Sequence, residues 1–141
     1  MNVSANFTRT QLEECIEFAK SHGAAGLAWM KMTSKGLESN VAKFFSEKIQ
    51  KQLIKETKAK VDDTLLFVAE KPKLCNDVLS RLRLKLGDDL KLIDHDKLHF
   101  VWVVEFPMFE WNDEEKQWSS MHHPFTSPKP EHRPYMSKEP G

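Results

Sequence analysis

Apolar residues recur at helical spacing in three stretches within the first ninety positions of the chain. The first stretch predicts a helix over residues 11–22, because its apolar positions lie three or four residues apart and so share one face. Thr10 and Glu13 have the spacing of a capping box at its start, and Gly23 suits the position after its last turn. The apolar face consists of Leu12, Cys15, Ile16 and Ala19.

The second and third stretches predict two further helices. Ser39 or Asn40 caps the second helix, whose apolar positions step by four. Pro72 fits the first turn of the third helix, and Gly87 fits its end. The second apolar stripe is Val41, Phe45, Ile49 and Leu53, and the third is Cys75, Val78, Leu79, Leu82 and Leu86.

Two short apolar segments lie between these helices and predict strands. Residues 26–32 run into a turn-forming segment at residues 33–36, and residues 64–70 follow two aspartates. Helix, strand, helix, strand, helix in about ninety residues is the pattern of an α+β unit within the broad α/β class. We therefore predict a small, mainly antiparallel sheet with helices on one face.

A third apolar segment, residues 100–109, has a different character. It is apolar almost without interruption, which indicates a strand covered on both faces, as in the interior of a large sheet. Pro107 cannot donate a ladder hydrogen bond, so the regular strand is predicted to end or bulge just before it. The charged residues 110–117 then form a solvated turn, and residues 118–122 form a return strand. Glu105, within the buried strand, needs a partner that the sequence does not identify.

Composition indicates a globular protein without a strong overall electric field. The 141 residues, 40% of them hydrophobic, suit a domain of ordinary size. The net charge is zero, so no global field draws the chain to nucleic acid, although residues 1–60 carry ten basic against six acidic residues and residues 99–141 carry four against seven. No long apolar run or secretory signal is present, and we predict a soluble, cytoplasmic protein with no membrane segment.

The two cysteines, Cys15 and Cys75, lie in predicted helices without the spacing of a metal site. They are interpreted as buried thiols in a reducing compartment. A single disulfide is the alternative, and it is disfavoured because cytosolic proteins seldom keep one.

Lysines crowd the second predicted helix. Lys48, Lys51 and Lys55 face away from its apolar stripe. The simplest interpretation is a solvated face. Phosphate binding is the sharper alternative, because clustered lysines bind a nucleic-acid backbone without needing a special geometry.

Three short motifs do not support a catalytic or metal site. KMTSKG at residues 31–36 superficially resembles the lysine loop of class I synthetases, but it carries an extra residue and no two-histidine motif precedes it, so it is interpreted as a solvated turn. Asp94, His95 and Asp96 are adjacent loop positions, which seldom converge on one ion. The five glycines never approach a dinucleotide-binding or P-loop motif. The sequence therefore predicts no metal ligands and no nucleotide fold.

The densest chemistry lies where the return strand meets a stiffened loop. His122 and His123 are followed by Pro124, and Pro128 closes the loop. Each proline fixes its own φ and biases the preceding residue toward extended backbone, which lowers the entropy lost in aiming nearby side chains. From the residues alone, histidines that merely satisfy the loop backbone are the simpler interpretation, because adjacent side chains point to opposite sides.

Two segments around this loop resemble a known enzyme family. VVEFPMFEW at residues 103–111, followed by MHHPFTSP at residues 121–128, is similar to the segment between the second and third signature motifs of bacterial-type aspartyl-tRNA synthetases, which are class II enzymes. The resemblance implies that the hairpin belongs to the antiparallel catalytic sheet. It also implies that His122 lines the pocket for the aspartate substrate and that His123 is a neighbouring pocket or acceptor-end residue.

Four further segments occur in the order found in the GAD domain, a module inserted into those synthetases and shared with subunits of tRNA-dependent amidotransferases. The resemblance implies that residues 1–9 are the edge of the catalytic domain, residues 10–98 the GAD insertion, and residues 99–141 the returning, incomplete segment of the catalytic domain. The chain is then expected to be a piece of a longer enzyme. The four segments are GAAGLAWMKM, SNVAKFF, DDTLLFVAEK and VLSRLRLKLG.

For the whole enzyme the resemblance implies an aspartate-tRNA ligase, a homodimer that activates L-aspartate with ATP and magnesium and transfers it to tRNA. The piece itself is expected to be inactive and to hold no catalytic residue and no cofactor, because the arginine-bearing second and third motifs are absent from its sequence. The alternative is a freestanding GAD-type interaction module related to amidotransferase subunits. The HHPF loop favours the ligase, since an interaction module has no use for an aspartate-pocket histidine.

Overall fold

The computed structural model describes residues 1–104, 106–122 and 127–138. It divides into two compact units, Met1–His95 and Asp96–Gly141. No helix among the described residues is long and apolar enough to cross a membrane. The first unit contains β1 (Asn2–Val3), α1 (Arg9–Ser21), β2 (Ala28–Thr33), β3 (Gly36–Glu38), a 3-10 helix (Ala42–Phe44), α2 (Glu47–Thr57), β4 (Thr64–Phe67) and α3 (Pro72–Asp89); the second contains β5 (Phe109–Asn112), β6 (Gln117–Ser120) and a 3-10 helix (Pro130–Tyr135).

A four-stranded antiparallel sheet in the order β1-β4-β2-β3 forms the centre of the first unit. In β4, Thr64 pairs with Val3 on one side and with Lys31 on the other. Thr64, Leu65 and Leu66 are completely shielded from solvent. The apolar run predicted as a strand is therefore the central strand, with both edges and both faces covered.

Helices cover both faces of this sheet. Leu66 lies in the core on the face against which α1 and α3 pack, together with Leu12 and Leu82. Leu65 lies in the core on the other face, against which Leu53 of α2 packs. The predicted class, an α+β type of α/β fold with a small antiparallel sheet, helices and a hairpin, is confirmed. The one-sided helical layer describes α1 and α3, whereas α2 covers the opposite side because successive strand residues point to opposite faces and are apolar on both.

The first helix begins two residues before the predicted start, because a different capping box begins it. The Thr8 hydroxyl oxygen accepts the backbone N–H of Gln11 at 3.3 Å, and the Gln11 side-chain oxygen accepts the backbone N–H of Thr8 at 2.8 Å. The predicted pair, Thr10 and Glu13, lies inside the helix, where Glu13 pairs with Arg9 at 2.9 Å. Both boxes have the same spacing, so local sequence does not distinguish them.

The turn predicted at residues 33–36 is confirmed, and it joins β2 to a strand that was not predicted. Gly36 has a φ of 117°, in the left-handed region that strains L side chains. The Thr33 hydroxyl donates to the Gly36 carbonyl at 3.0 Å across the turn. β3 escaped prediction because it is three residues long and only Leu37 within it is buried.

The second helix starts later than predicted. Ser39 is followed only by a short 3-10 turn, and its hydroxyl accepts the backbone N–H of Ala42 at 3.0 Å. The α-helix itself begins after Ser46, whose hydroxyl accepts the backbone N–H of Ile49 at 3.5 Å. The prediction of one helix capped at Ser39 or Asn40 is wrong, because the four-residue apolar step continues across a break in the backbone.

The third helix runs through Gly87 instead of ending there. A Cβ atom at Gly87 would lie 3.0 Å from two side-chain carbons of Ile93, a separation that real Cβ atoms rarely show. The backbone N–H of Leu92 also donates to the Gly87 carbonyl at 2.8 Å. The glycine therefore admits the returning chain beside the last turn; it does not supply a left-handed cap.

β1 is the other strand that was not predicted. The resemblance groups residues 1–9 with the edge of a catalytic domain, and in the structure Asn2–Val3 completes the sheet of the first unit by pairing with β4. The Asn2 side-chain N–H₂ group donates to the Thr57 carbonyl at 3.2 Å and to the Asp63 carboxylate at 3.0 Å. A two-residue strand has no periodicity to detect, and these contacts span more than fifty residues of sequence.

Asp63 is expected to make the stability of the first unit depend on pH in the acid range. The Lys60 backbone N–H, which donates to the Asp63 carboxylate at 2.9 Å, and the Asn2 amide hold the pKa of Asp63 below its usual value, against an opposing effect of burial. A carboxyl whose pKa is depressed on folding stabilises the fold above its unfolded pKa of about 4. That contribution is lost as pH falls through the folded pKa.

Urea unfolding of the parent chain and Asp63→Asn between about pH 2 and pH 7 tests this effect. The variant should show a flatter profile below about pH 4 and a free energy of unfolding lower by about 1–3 kcal/mol at neutral pH, because the amide replaces one acceptor with a donor. Asp62→Asn, at the exposed neighbouring position, is the control. Equal acid sensitivity of Asp63→Asn and the parent would contradict the assignment.

The second unit contains the predicted hairpin, formed by β5 and β6. Trp111 and Trp118 are paired across it, with ring centroids 5.6 Å apart and planes at 72°. Such edge-to-face aromatic pairs stabilise a hairpin beyond the area they bury. The connecting turn, residues 113–116, is shorter than predicted and ends with Lys116 at a φ of 52°.

Most of the buried strand predicted at residues 100–109 is absent from the described residues. Residues 100–104 and Phe106 are not in a strand and are exposed, Trp102 to 96%. Glu105 lies outside the described residues. A strand forms only against a neighbouring edge, and the described part of the chain pairs no edge with this segment.

Candidate functional site

His122 lies two residues beyond the end of β6, where the sequence predicts the end of the return strand. The Met121 backbone N–H donates to the Met108 carbonyl at 3.0 Å, which holds the two segments together after the ladder ends. The edge of one ring meets the face of the other between His122 and Phe106, with centroids 4.1 Å apart and planes at 80°. The hairpin thus brings an aromatic ring of the incoming segment against the predicted substrate-binding histidine.

The His122 ring carries a polar atom that no described group satisfies. Its Nε2 is shielded from solvent and has no hydrogen-bond partner among the described residues. Its backbone is held in place, because the Ser120 hydroxyl donates to the His122 carbonyl at 2.8 Å. A buried polar atom without a partner costs about 1–3 kcal/mol, so such atoms in folded proteins call for a ligand or a functional explanation.

The remaining residues of the predicted loop do not enter this geometry. His123 and residues 124–126 lie outside the described residues, as does Glu105. The role of His123 as a second pocket residue therefore stays a prediction. What the structure brings together is His122, Phe106 and the end of the hairpin.

A cleft, which the sequence did not predict, lies between α1 and β2 in the first unit. It has a volume of about 470 Å³. Arg9 pairs with Glu13 at 2.9 Å, and the Lys31 ammonium donates to the Asn6 side chain at 2.9 Å. Its lining residues are Arg9, Leu12, Glu13, Ile16, Trp29, Lys31 and Asn40.

The chemistry of this cleft suits binding better than catalysis. Its lining contains no histidine, cysteine or serine that could act as a nucleophile. Trp29, half buried against the core, supplies apolar surface, and the charged groups already have protein partners. The lining residues come from three separate segments of the sequence, so no local pattern predicts the cleft. Trp29, in a short predicted strand, is the one sequence signal for it.

Other reactive groups do not form a centre. Cys15 and Cys75 are free thiols, and burial raises the pKa of the Cys15 thiol, which makes it a poor nucleophile. The Cys75 thiol contacts the Val68 carbonyl oxygen at 3.5 Å. Within the described ranges, no three histidine, cysteine or carboxylate side chains gather as metal ligands.

Comparison with known proteins links both units to one group of sequences. The chain is 50% identical over 133 residues to an aspartate-tRNA(Asp/Asn) ligase of Brachyspira hyodysenteriae, covering 94% of this chain and 23% of the relative. It is 46% identical over 134 residues to the ligase of the same name from Geotalea uraniireducens, covering 95% of this chain and 23% of the relative. An aspartate-tRNA ligase of Macrococcus caseolyticus is 44% identical over 129 residues, or 92% of this chain and 22% of the relative.

The chain therefore spans less than a quarter of the length of these curated relatives. The family profile of the GAD domain matches residues 2–79, which include the whole four-stranded sheet and both helices that precede α3. Because this match covers more than half of the residues, the chain belongs to the GAD domain family.

Proposed function

We propose that this chain is part of an aspartate-tRNA ligase, in which the first unit is the inserted accessory domain and the hairpin of the second unit contributes to the aspartate pocket. The observation that carries the proposal is similarity at 42–50% identity to proteins named aspartate-tRNA(Asp/Asn) ligase or aspartate-tRNA ligase, over 92–97% of the chain and across both units. A match confined to residues 2–79 would have supported only a GAD module. The whole enzyme would act in the cytoplasm as a homodimer.

In this proposal His122 binds the L-aspartate substrate. Its unsatisfied Nε2 can donate a hydrogen bond to a carboxylate when it carries a proton. Phe106 packs against the ring and limits its rotation. A donor held in one direction favours the acid side chain of aspartate over the amide of asparagine, which presents donors of its own.

The ATP and magnesium that the whole ligase would use do not fit the described residues. No three potential metal ligands converge there, and two of the four arginines, Arg9 and Arg81, are each paired with a carboxylate on their own helix. In the whole ligase, adenylate formation would therefore depend on residues outside this chain. The contribution of this chain to the reaction is the recognition of aspartate at His122.

Replacing His122 with alanine in the full-length ligase is expected to lower kcat/KM for aspartate by about tenfold or more, mainly through a higher KM, because a hydrogen bond to a charged group contributes about 1.5–3 kcal/mol. Steady-state aminoacylation at saturating ATP and tRNA provides the measurement. His132→Ala, at an exposed position in the second unit, is the control and should behave as the parent. Unchanged aspartate kinetics in His122→Ala would remove His122 from the pocket.

A freestanding GAD-type interaction module, related to amidotransferase subunits, is the second candidate. The GAD match over residues 2–79 is compatible with it, whereas the similarity to ligases over 94–95% of the chain supports the first candidate over it. The two candidates predict different polypeptides in the source organism. Mass spectrometry of the native protein should find a chain about four times as long as this one if it is a ligase, since the chain covers 23% of the relatives.

A further inference from the structure

We infer that the outward side of α2, together with Phe44, is a surface that binds the phosphate backbone and an unstacked base of RNA. This basic α2 surface consists of Lys48, Lys51, Lys55 and Phe44. The choice of RNA rests on the proposed function, because the relatives are ligases that act on tRNA. The surface itself is argued from charge and exposure in the first unit.

The three lysines form one stripe along α2. They are spaced three and four residues apart, so they lie on the same side of the helix, opposite Leu53 and Ile54, which pack on the sheet. All three are exposed. At 1.5 Å per residue the stripe is about 10 Å long. The fold therefore presents three positive charges at spacings set by a helix anchored through its other side.

Ion pairing does not explain the stripe, although Lys55 in the last turn of α2 interacts favourably with the helix dipole. On α1 and α3, Arg9, Lys20, Arg81 and Lys85 each pair with a carboxylate three or four residues away. Among the described residues no such ion pair involves a lysine of α2. Like charges at this spacing destabilise a helix by a few tenths of a kcal/mol. A bound polyanion would offset the repulsion among the three lysines.

An exposed aromatic side chain lies beside the start of this helix. Phe44, in the 3-10 turn just before α2, is 76% exposed, and the Lys43 ammonium lies 5.2 Å from its ring centroid. Phe45 and Ile49 add further exposed apolar surface. Aromatic rings next to cationic side chains are the usual platform for stacking unpaired bases, while the lysines neutralise phosphates. This combination favours RNA over an acidic protein or a lipid surface, neither of which offers bases to stack.

The test compares RNA binding by the parent chain and a triple variant, Lys48→Gln, Lys51→Gln and Lys55→Gln. Fluorescence anisotropy with labelled bulk bacterial tRNA, repeated across a salt series, gives both affinity and salt dependence. Each lost phosphate contact lowers the slope of log K against log salt by about 0.7–0.9, so the triple variant should lose about two units of slope and at least about tenfold in affinity at low salt. The variant keeps the fold, because the three side chains are solvent-exposed.

A matched control removes three exposed lysines elsewhere, as Lys35→Gln, Lys71→Gln and Lys116→Gln. This control has the same net charge as the test variant and should bind tRNA within about threefold of the parent. An equal loss in both triple variants would overturn the proposal, since binding would then follow net charge and not the α2 stripe. Both variants are expected to keep the far-UV circular dichroism signal of the parent. Urea unfolding midpoints verify that both are folded.

Phe44→Ala separates base stacking from simple charge attraction. It should weaken binding of labelled oligouridine about tenfold, as loss of one stacked base does, while binding of dextran sulfate, a polyanion without bases, stays unchanged. Tyr135→Ala, which removes another exposed aromatic ring, is its control. Unchanged oligouridine binding by Phe44→Ala would overturn the RNA assignment. Because the assays measure RNA binding directly, their result is independent of the aspartate kinetics that test His122.

Discussion

Replacing Leu82 with alanine is expected to lower the free energy of unfolding of the first unit by about 2–5 kcal/mol. Leu82 is fully buried on α3 and shares its core with Leu12 of α1 and Leu66 of β4. The substitution loses apolar transfer free energy and leaves a cavity between two helices and a sheet, which close-packed neighbours refill only in part. The free energy of unfolding of a small domain is about 5–15 kcal/mol in total, so the substitution would remove a large part of its stability.

Leu84 supplies the matched control on the same helix. It is 53% exposed, so Leu84→Ala should change the free energy of unfolding by less than about 0.5 kcal/mol, since alanine is as good a helix former as leucine. Urea unfolding followed by far-UV circular dichroism reports on the three α-helices, all of which lie in the first unit. Similar losses in the two variants would show that Leu82 does not hold the core together.

The chain alone is expected to catalyse no formation of aspartyl-adenylate. Activation of a carboxylate by ATP depends on cationic groups aimed at the charge that develops in the transition state, and each 1.36 kcal/mol of such stabilisation is about tenfold in rate. His122 is a single side chain, and no group of three potential metal ligands occurs among the described residues. The arginines that the resemblance assigns to this task are absent from the sequence.

ATP-pyrophosphate exchange with saturating aspartate and magnesium measures this directly. The full-length ligase under the same conditions is the positive control, and the chain alone should give the rate of buffer. A signal that co-purifies with the chain and disappears in His122→Ala would refute the expectation. A signal that persists in that variant would instead indicate contaminating enzyme, because His122 is the candidate pocket residue among the described residues.

The sequence indicated two of the surfaces, His122 and the lysine stripe, and showed no sign of the other two. His122 was a candidate only through the resemblance of residues 121–128 to a synthetase family, because the histidines and prolines alone favour a purely structural role. The stripe of lysines on α2 was also visible, since helical spacing alone places them on one side. The exposure of Phe44 and the cleft lined by Trp29 were not, because both depend on how the 3-10 turn and α1 pack against the sheet.

Periodicity determined the elements that bury large apolar faces. The stripes containing Leu12 and Leu82, and the continuous run of β4, each follow from the repeat of a regular helix or a covered strand. A hairpin in the second unit was predicted, but its first strand forms at Phe109–Asn112, most of which lay in the predicted turn. The apolar stripes and the run of β4 depend on local spacing, which a linear sequence records in full.

Tertiary structure decided the boundaries and the partners. The cap at Thr8 and the passage of α3 through Gly87 involve the nearby residues Gln11 and Ile93, contacts that the apolar periodicity does not reveal. The short strand at Asn2 depends on contacts with residues more than fifty positions away. The apolar residues 100–104 show the same rule in reverse: their composition favours a strand, yet none forms without an edge to pair with. Local sequence thus determined which segments favour helix or strand, and long-range pairing decided which of the candidate strands form, because a strand needs an edge to pair with.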